Sequence, residues 1–179
     1  MKHIATVALM LTLGVAAVHA QQRPVKMTFS GSMVATTLNL APNTVTDEEQ
    51  LAGNGALGPF TFHKLRVDEI TPQGFGSCGS GFGPSIRVVP VRSGGVFRFQ
   101  DGSLLTVTVT EGTLCIDLNH LVGHLTETYQ ITEGTGRLEG VQGNLTLTGT
   151  LKVALFDASG APKLLTNTGG FEGTLTGTP

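Results

Sequence analysis

The sequence predicts an all-β protein: a single small antiparallel β-barrel of about eight strands, with a two-sheet β-sandwich as the alternative architecture. Three observations predict it. Thr, Val, Ile and Phe, which favour half-buried pleated strands, recur throughout, while runs of Ala, Glu, Lys and Leu at helical spacing are missing. Apolar residues alternate with Thr at period two over much of the chain, the mark of strands with one dry and one wet face. Gly is frequent (25 of 179 residues) and charge is sparse (13% of the chain), as expected where tight turns and close backbone approach replace charged helical surface.

The first element is a targeting segment. Residues 1–20, MKHIATVALMLTLGVAAVHA, carry Lys2 near the start, an apolar run and a small-residue end at Ala20. They read as a cleaved signal peptide, because the run is short for a membrane span and no basic stop-transfer cluster follows. The expectation is a barrel domain over residues 21–179, secreted or periplasmic, with no membrane insertion after cleavage. Formal charge is −2, and about −3 without Lys2. That balance offers nothing to nucleic acid.

Residues 25–38 read as the first strand, with Met27, Phe29 and Met33 on its dry face. Residues 41–59 read as a loop. Within it Thr46 caps one helical turn, and Asp47, Glu48 and Glu49 form a solvated acidic surface. Phe60 and Phe62 share one parity and Leu65 and Val67 the other, which predicts a bulge at His63-Lys64. Residues 71–85, TPQGFGSCGSGFGPS, read as a Gly-rich loop; the following helix and Lys-Ser/Thr pair of a phosphate loop are absent. Residues 86–91 make a short strand, with Pro90 marking an edge or bulge.

Phe97 and Phe99 then lead into Asp101-Gly102, a hairpin turn pair. Leu105, Val107 and Val109 alternate with Thr106, Thr108 and Thr110, and a second turn is expected at Glu111-Gly112. Leu125, Glu127, Tyr129 and Ile131 share one strand face. Gly134-Thr135-Gly136 turns the chain, and Leu145, Leu147, Leu151 and Val153 form the next dry face. After a loop over residues 157–168, Phe171 and Leu175 mark the last strand. Closing such a set into a barrel removes exposed edges.

Residues 129–140, YQITEGTGRLEG, resemble the Y-x-I-T-G-G-T-G-R-F-x-G segment of the allene oxide cyclase/dirigent barrel superfamily. Val141-Gln142-Gly143 and the Thr-rich run after it are similar to the family's continuation, and residues 97–113 resemble the hairpin region of bacterial secreted members. Glu133 and Leu138 depart from the pattern. The resemblance covers residues 96–176 and implies an eight-stranded barrel with an apolar cavity, often a homo-trimer. It implies confinement of a reactive apolar substrate by a cyclase or isomerase, or steering of phenolic radical coupling. The motif is structural in that family, so no catalytic residue is carried over.

Chemistry in the residues themselves is thin. GTGRLEG, residues 134–140, has the wrong spacing for a dinucleotide fingerprint and joins strands. His120 and His124 at i, i+4 lack a helix and a third ligand, so no metal and no cofactor is expected. Asn144-Leu145-Thr146 is a formal glycosylation sequon. Cys78 and Cys115 form a disulfide if the chain is exported; two buried free thiols or a nucleophile are the alternatives. Cys115 alternates with Leu114 and Ile116 and so should face the outer wall.

The candidate ligand-binding residues are Glu127 and Tyr129, polar interruptions of an apolar inward face. Two arrangements would remove their function: a slipped strand placing Glu127 at the mouth, or pairing with a base such as Arg137. Desolvation should otherwise raise the Glu127 pKa. Gly31, Gly149 and Gly173 on the dry faces point to unfilled interior space. Three readings follow: a barrel holding a small apolar molecule, a cyclase or isomerase, and a structural or interaction protein without a ligand.

Overall fold

The computed structural model describes residues 22–38, 40–69, 78 and 84–177; the expected signal peptide lies outside them, as does most of the Gly-rich loop. Nine strands follow one another: β1 (Arg23–Ala35), β2 (Thr44–Gly55), β3 (Phe60–Glu69), β4 (Ser85–Val88), β5 (Pro90–Phe99), β6 (Leu104–Asp117), β7 (Val122–Gly134), β8 (Gln142–Phe156) and β9 (Pro162–Thr176). All pairings are antiparallel. The order β5-β3-β2-β1-β9-β8-β7-β6 closes on itself through β5–β6, and β4 adds to the far end of β6. The expected all-β barrel is therefore the observed fold, with eight strands in the wall and a ninth attached. Among the described residues no helix is long and apolar enough to cross a membrane.

The predicted dry parity holds where apolar residues carry it. Phe29, Phe97, Phe99, Leu105, Val107, Leu145, Leu147 and Phe171 are all buried. Seven aromatic rings converge inside the barrel, Phe99 among them: Phe62 stacks on Phe97 at 4.2 Å, and Phe171 meets Phe97 at 4.9 Å and Phe29 at 5.1 Å. Phe60 and Tyr129 pack edge-on against the same group. Below them Val25, Leu57, Leu138, Val141 and Leu175 plug one end. Arg137 ties that end together, donating to Asp101 Oδ2 at 2.5 Å and to the Leu57 carbonyl while lying over Phe99.

Several local expectations are corrected. Residues 41–59 are not a loop, because Thr44–Gly55 is a wall strand with Asp47, Glu49 and Leu51 facing inward; no helical turn forms at Thr46. β3 runs without a bulge at His63-Lys64. Its inward positions after Phe62 are the buried Lys64 and Arg66, and the register shift comes later, between Val67 and Asp68. Glu111-Gly112 is not a turn but a paired part of β6 just past a register shift between Val109 and Glu111, and the turn to β7 falls at residues 118–121 with Leu121 at φ 52°. Residues 86–91 divide between β4 and β5. β9 begins at Pro162, so the preceding loop is shorter than expected.

The inward glycines do not leave space. A Cβ on Gly31 would lie 2.1 Å from the Gln50 carbonyl and one on Gly173 would lie 2.0 Å from that of Asn144, so these positions permit close strand approach. A Cβ on Gly149 would meet Asn167 Oδ1 at 2.6 Å; this glycine makes room for a polar side chain. The lower half of the barrel is a packed aromatic floor, not the expected open apolar chamber.

Candidate functional site

Above the floor the interior is charged. β2 contributes Glu49 and β3 contributes Lys64, paired in register on one inward face. β7 adds Glu127 and Tyr129, and β9 adds Asn167; all five are fully buried. Lys64 Nζ sits 2.6 Å from Glu49 Oε2 and 2.7 Å from Glu127 Oε2. It also donates to the Tyr129 hydroxyl at 3.3 Å. Tyr129 in turn donates to Glu127 Oε2, and Asn167 Nδ2 donates to Glu49 Oε1. One turn of the wall farther up, Arg66 is fully buried and donates from Nε to Asp68 Oδ1 at 2.8 Å. Asp47, the register partner of Arg66, is half-buried beside them.

The expectation that Glu127 and Tyr129 face the interior is met by the geometry, and neither Arg137 nor a slipped register intervenes. The expected pKa of Glu127 is not met. Burial does push it up, but the Lys64 ammonium and the Arg66 guanidinium outweigh burial and hold it below the usual carboxylate value. Burial likewise opposes the charge of Lys64, yet Glu49 and Glu127 raise its pKa overall. Tyr129 is pushed well up, first by burial and then by the Glu127 charge, so its phenol stays protonated. Asp47 rises to about 6 through burial and the charge of Asp68, against the pull of Arg66 and Lys64.

Sequence reasoning missed Glu49, Lys64, Arg66, Asp68 and Asn167. A signal existed: carrying the Phe60/Phe62 parity forward places Lys64 and Arg66 inward, and two buried cations demand buried carboxylates. The acidic triplet supplies one. Glu48 remains on the outer side with His63, 2.6 Å away, whereas Glu49 turns in. His120 is exposed and paired with Asp117 at 2.8 Å, and no group of three metal-ligating side chains occurs among the described residues. Asn144 of the sequon is exposed on β8. Cys78 and Cys115 are bonded, with Cα atoms 5.8 Å apart, and Cys115 lies half-buried next to inward Leu114.

The wall beside Arg66 is interrupted. β5 and β6 pair only from Gly94↔Thr108 to Arg98↔Leu104, and Ser93 and Val109 lie past the last rung. β6 then shifts register and pairs with β4 instead. A cleft of about 880 Å³ opens here, lined by Leu40, Leu65, Val67, Val91, Ser93 and Val109 among others. Ser93, in the cleft lining, is the register partner of Arg66 on the side of β3 away from Asp47. Arg66 Nη1 and Nη2, Glu127 Oε1, Asn167 Oδ1 and Ser93 Oγ are buried without a hydrogen-bond partner among the described residues.

No protein-family model matches the chain, and no curated protein matches it. Among solved structures the chain is similar to a pterocarpan synthase dirigent protein, at 11% identity and TM-score 0.36 over 94% of this chain and 98% of that one.

Proposed function

We propose that this protein is an exported barrel that binds a small amphipathic molecule, its apolar body in the β5–β6 cleft and its polar head against the buried cluster. The observation that carries this reading is the set of unpartnered polar atoms around Arg66 and Glu127, next to a cleft with an apolar lining. A buried donor or acceptor left unpaired costs about 1–3 kcal/mol, and more when charged. Such atoms on the register partners Arg66 and Ser93 mark a place where an occupant supplies the missing bonds. The expected small apolar ligand is thereby revised to one with a polar end, because the apolar half of the interior is filled by rings.

The chain contains one Tyr and no Trp, so intrinsic emission reports Tyr129 alone. Native mass spectrometry of protein exported by its own host, followed by tyrosine emission titration with whatever molecule co-purifies, tests the reading. The same spectrum reads the homo-trimer that the resemblance implies. Ligand-free protein whose emission responds to no small molecule would sink the proposal.

A second reading is confinement catalysis by a cyclase or isomerase. It is favoured by the Tyr129–Glu127–Lys64 hydrogen bonds, in which the neutral phenol and the ammonium both donate to one carboxylate oxygen, Glu127 Oε2. Such a pair can lend a proton to, or stabilise charge on, a bound substrate. Turnover of an apolar epoxide that Tyr129→Phe abolishes, with binding retained, would distinguish it from simple binding.

A further inference from the structure

The buried cluster has an excess of negative charge, and its unpartnered atoms are of both kinds. Three carboxylates, Glu49, Asp68 and Glu127, face two cations, Lys64 and Arg66, all of them buried. Half-buried Asp47 adds further negative charge when ionised. A pure acceptor anion such as a carboxylate or phosphate would satisfy the Arg66 Nη groups, yet it would deepen the negative excess and leave Glu127 Oε1 without a donor. An ammonium would relieve the excess, but it only donates and would leave both Arg66 Nη groups without an acceptor. A hydroxyl accepts and donates at once. It can take a hydrogen bond from Arg66 and give one to Glu127 Oε1 without adding charge.

We infer that the head group bound beside Arg66 is an uncharged, hydroxyl-bearing one, and that the site discriminates against anions and against amines of the same skeleton. The inference rests on the small-molecule reading above and specifies its chemical class. Ser93 Oγ, at the junction of cleft and cluster, adds one more donor–acceptor of the same kind and sets the depth at which the head passes from the apolar wall to the charged interior. Discrimination of this sort is strong where a buried polar group is left unpaired by the wrong ligand, far stronger than a pocket gains from one methylene.

The test uses three probes with one ring: cyclohexanol, cyclohexanecarboxylate and cyclohexylammonium, titrated at pH 7.5 against the exported protein with Tyr129 emission as the readout. The expected result is a saturable change with cyclohexanol at an affinity at least ~10-fold above either charged probe. Arg66→Met should remove the preference for the alcohol over the amine. Glu127→Gln, which reduces the negative excess, should narrow the gap between alcohol and carboxylate; circular dichroism establishes that each variant is folded. Tighter binding of cyclohexanecarboxylate or cyclohexylammonium than of cyclohexanol overturns the head-group assignment while leaving a ligand-binding barrel. A co-purifying ligand whose only polar group is an anion does the same. No response to any of the three probes overturns both.

Discussion

Lys64→Met isolates the electrostatics of the interior. Lys64 Nζ is the one cation bonded to both Glu49 and Glu127, at 2.6 and 2.7 Å, and all three side chains are fully buried. Removing one partner of a buried ion pair costs about 3–5 kcal/mol, because the other charge is left without compensation. Set against a total stability of about 5–15 kcal/mol, that lowers Tm by roughly 6–20 °C for a chain of this size. The pH dependence carries more information than the midpoint. In the parent protein the folded-state pKa of Glu127 lies below its ordinary value of 4.5. Its contribution is present above that value and is lost as pH falls through the folded pKa. In the variant, burial and the mutual repulsion of Glu49 and Glu127 act without Lys64, so the folded state binds a proton that the unfolded state releases. The sign reverses: stability rises as pH falls from 8 toward 5, by about 1.4 kcal/mol per pH unit for each extra proton held. Urea midpoints at pH 5, 6.5 and 8, followed by Tyr129 emission and by far-UV circular dichroism, measure both effects. A variant with the parent's midpoint at pH 8, or a profile running parallel to the parent's, would refute the buried Glu49–Lys64–Glu127 arrangement.

Three further outcomes follow from single positions. Asp47, with its pKa pushed up to about 6, loses stability as pH rises through that value. Asp47→Asn should therefore raise Tm by about 4–12 °C at pH 7.5, from about 2–3 kcal/mol, with the gain vanishing at pH 4. Cys115→Ser opens the bridge to Cys78 across a separation of 37 residues and should cost about 4 kcal/mol on the chain-entropy estimate; intact mass of the parent before and after reduction should differ by two hydrogen atoms. Gly149→Ala sets a Cβ 2.6 Å from Asn167 Oδ1. It should cost about 1–3 kcal/mol by overpacking and loosening the Asn167–Glu49 bond, read as a lower urea midpoint at unchanged slope.

The barrel was legible wherever apolar residues alone mark the inward face. β6 up to Val109, β7 and β8 alternate cleanly, and Glu127 and Tyr129 stand out because they break an otherwise apolar parity. β2 and β3 hid for the opposite reason. The inward side of β2 is Asp47, Glu49 and Leu51, and the outward side carries Thr46 and Glu48, so neither parity is apolar. In β3 the inward face changes from Phe60 and Phe62 to Lys64 and Arg66 while outward Leu65 and buried Val67 are apolar. Hydrophobic periodicity then reports a flip of the chain where there is only a change of chemistry along one face. The charges that resolve this lie far off in sequence: Glu127 is 63 residues from Lys64, and Asn167 is 118 from Glu49. A one-dimensional pattern cannot pair them, whereas closure of the barrel does so at once.

The two halves of the interior answer to different demands. The ring cluster of Phe60, Phe62, Phe97 and Phe171 over a plug of Leu and Val residues supplies apolar burial, the dominant favourable contribution to folding. Stability alone would continue that packing through the upper half, since replacing a buried ionic cluster by well-packed apolar residues is often neutral or stabilising by about 1–4 kcal/mol. This chain instead carries five charged side chains, Tyr129 and Asn167 there. It has no Cβ at Gly149, where Asn167 Oδ1 sits, and leaves both Arg66 Nη groups and one Glu127 oxygen unpartnered beside a break in the wall. Their fixed positions on four different strands mean that the cost of ordering them is met in folding, before any ligand arrives. A preorganised polar end at the edge of an apolar cleft is what selective binding of an amphipathic molecule requires, and packing for stability does not require it.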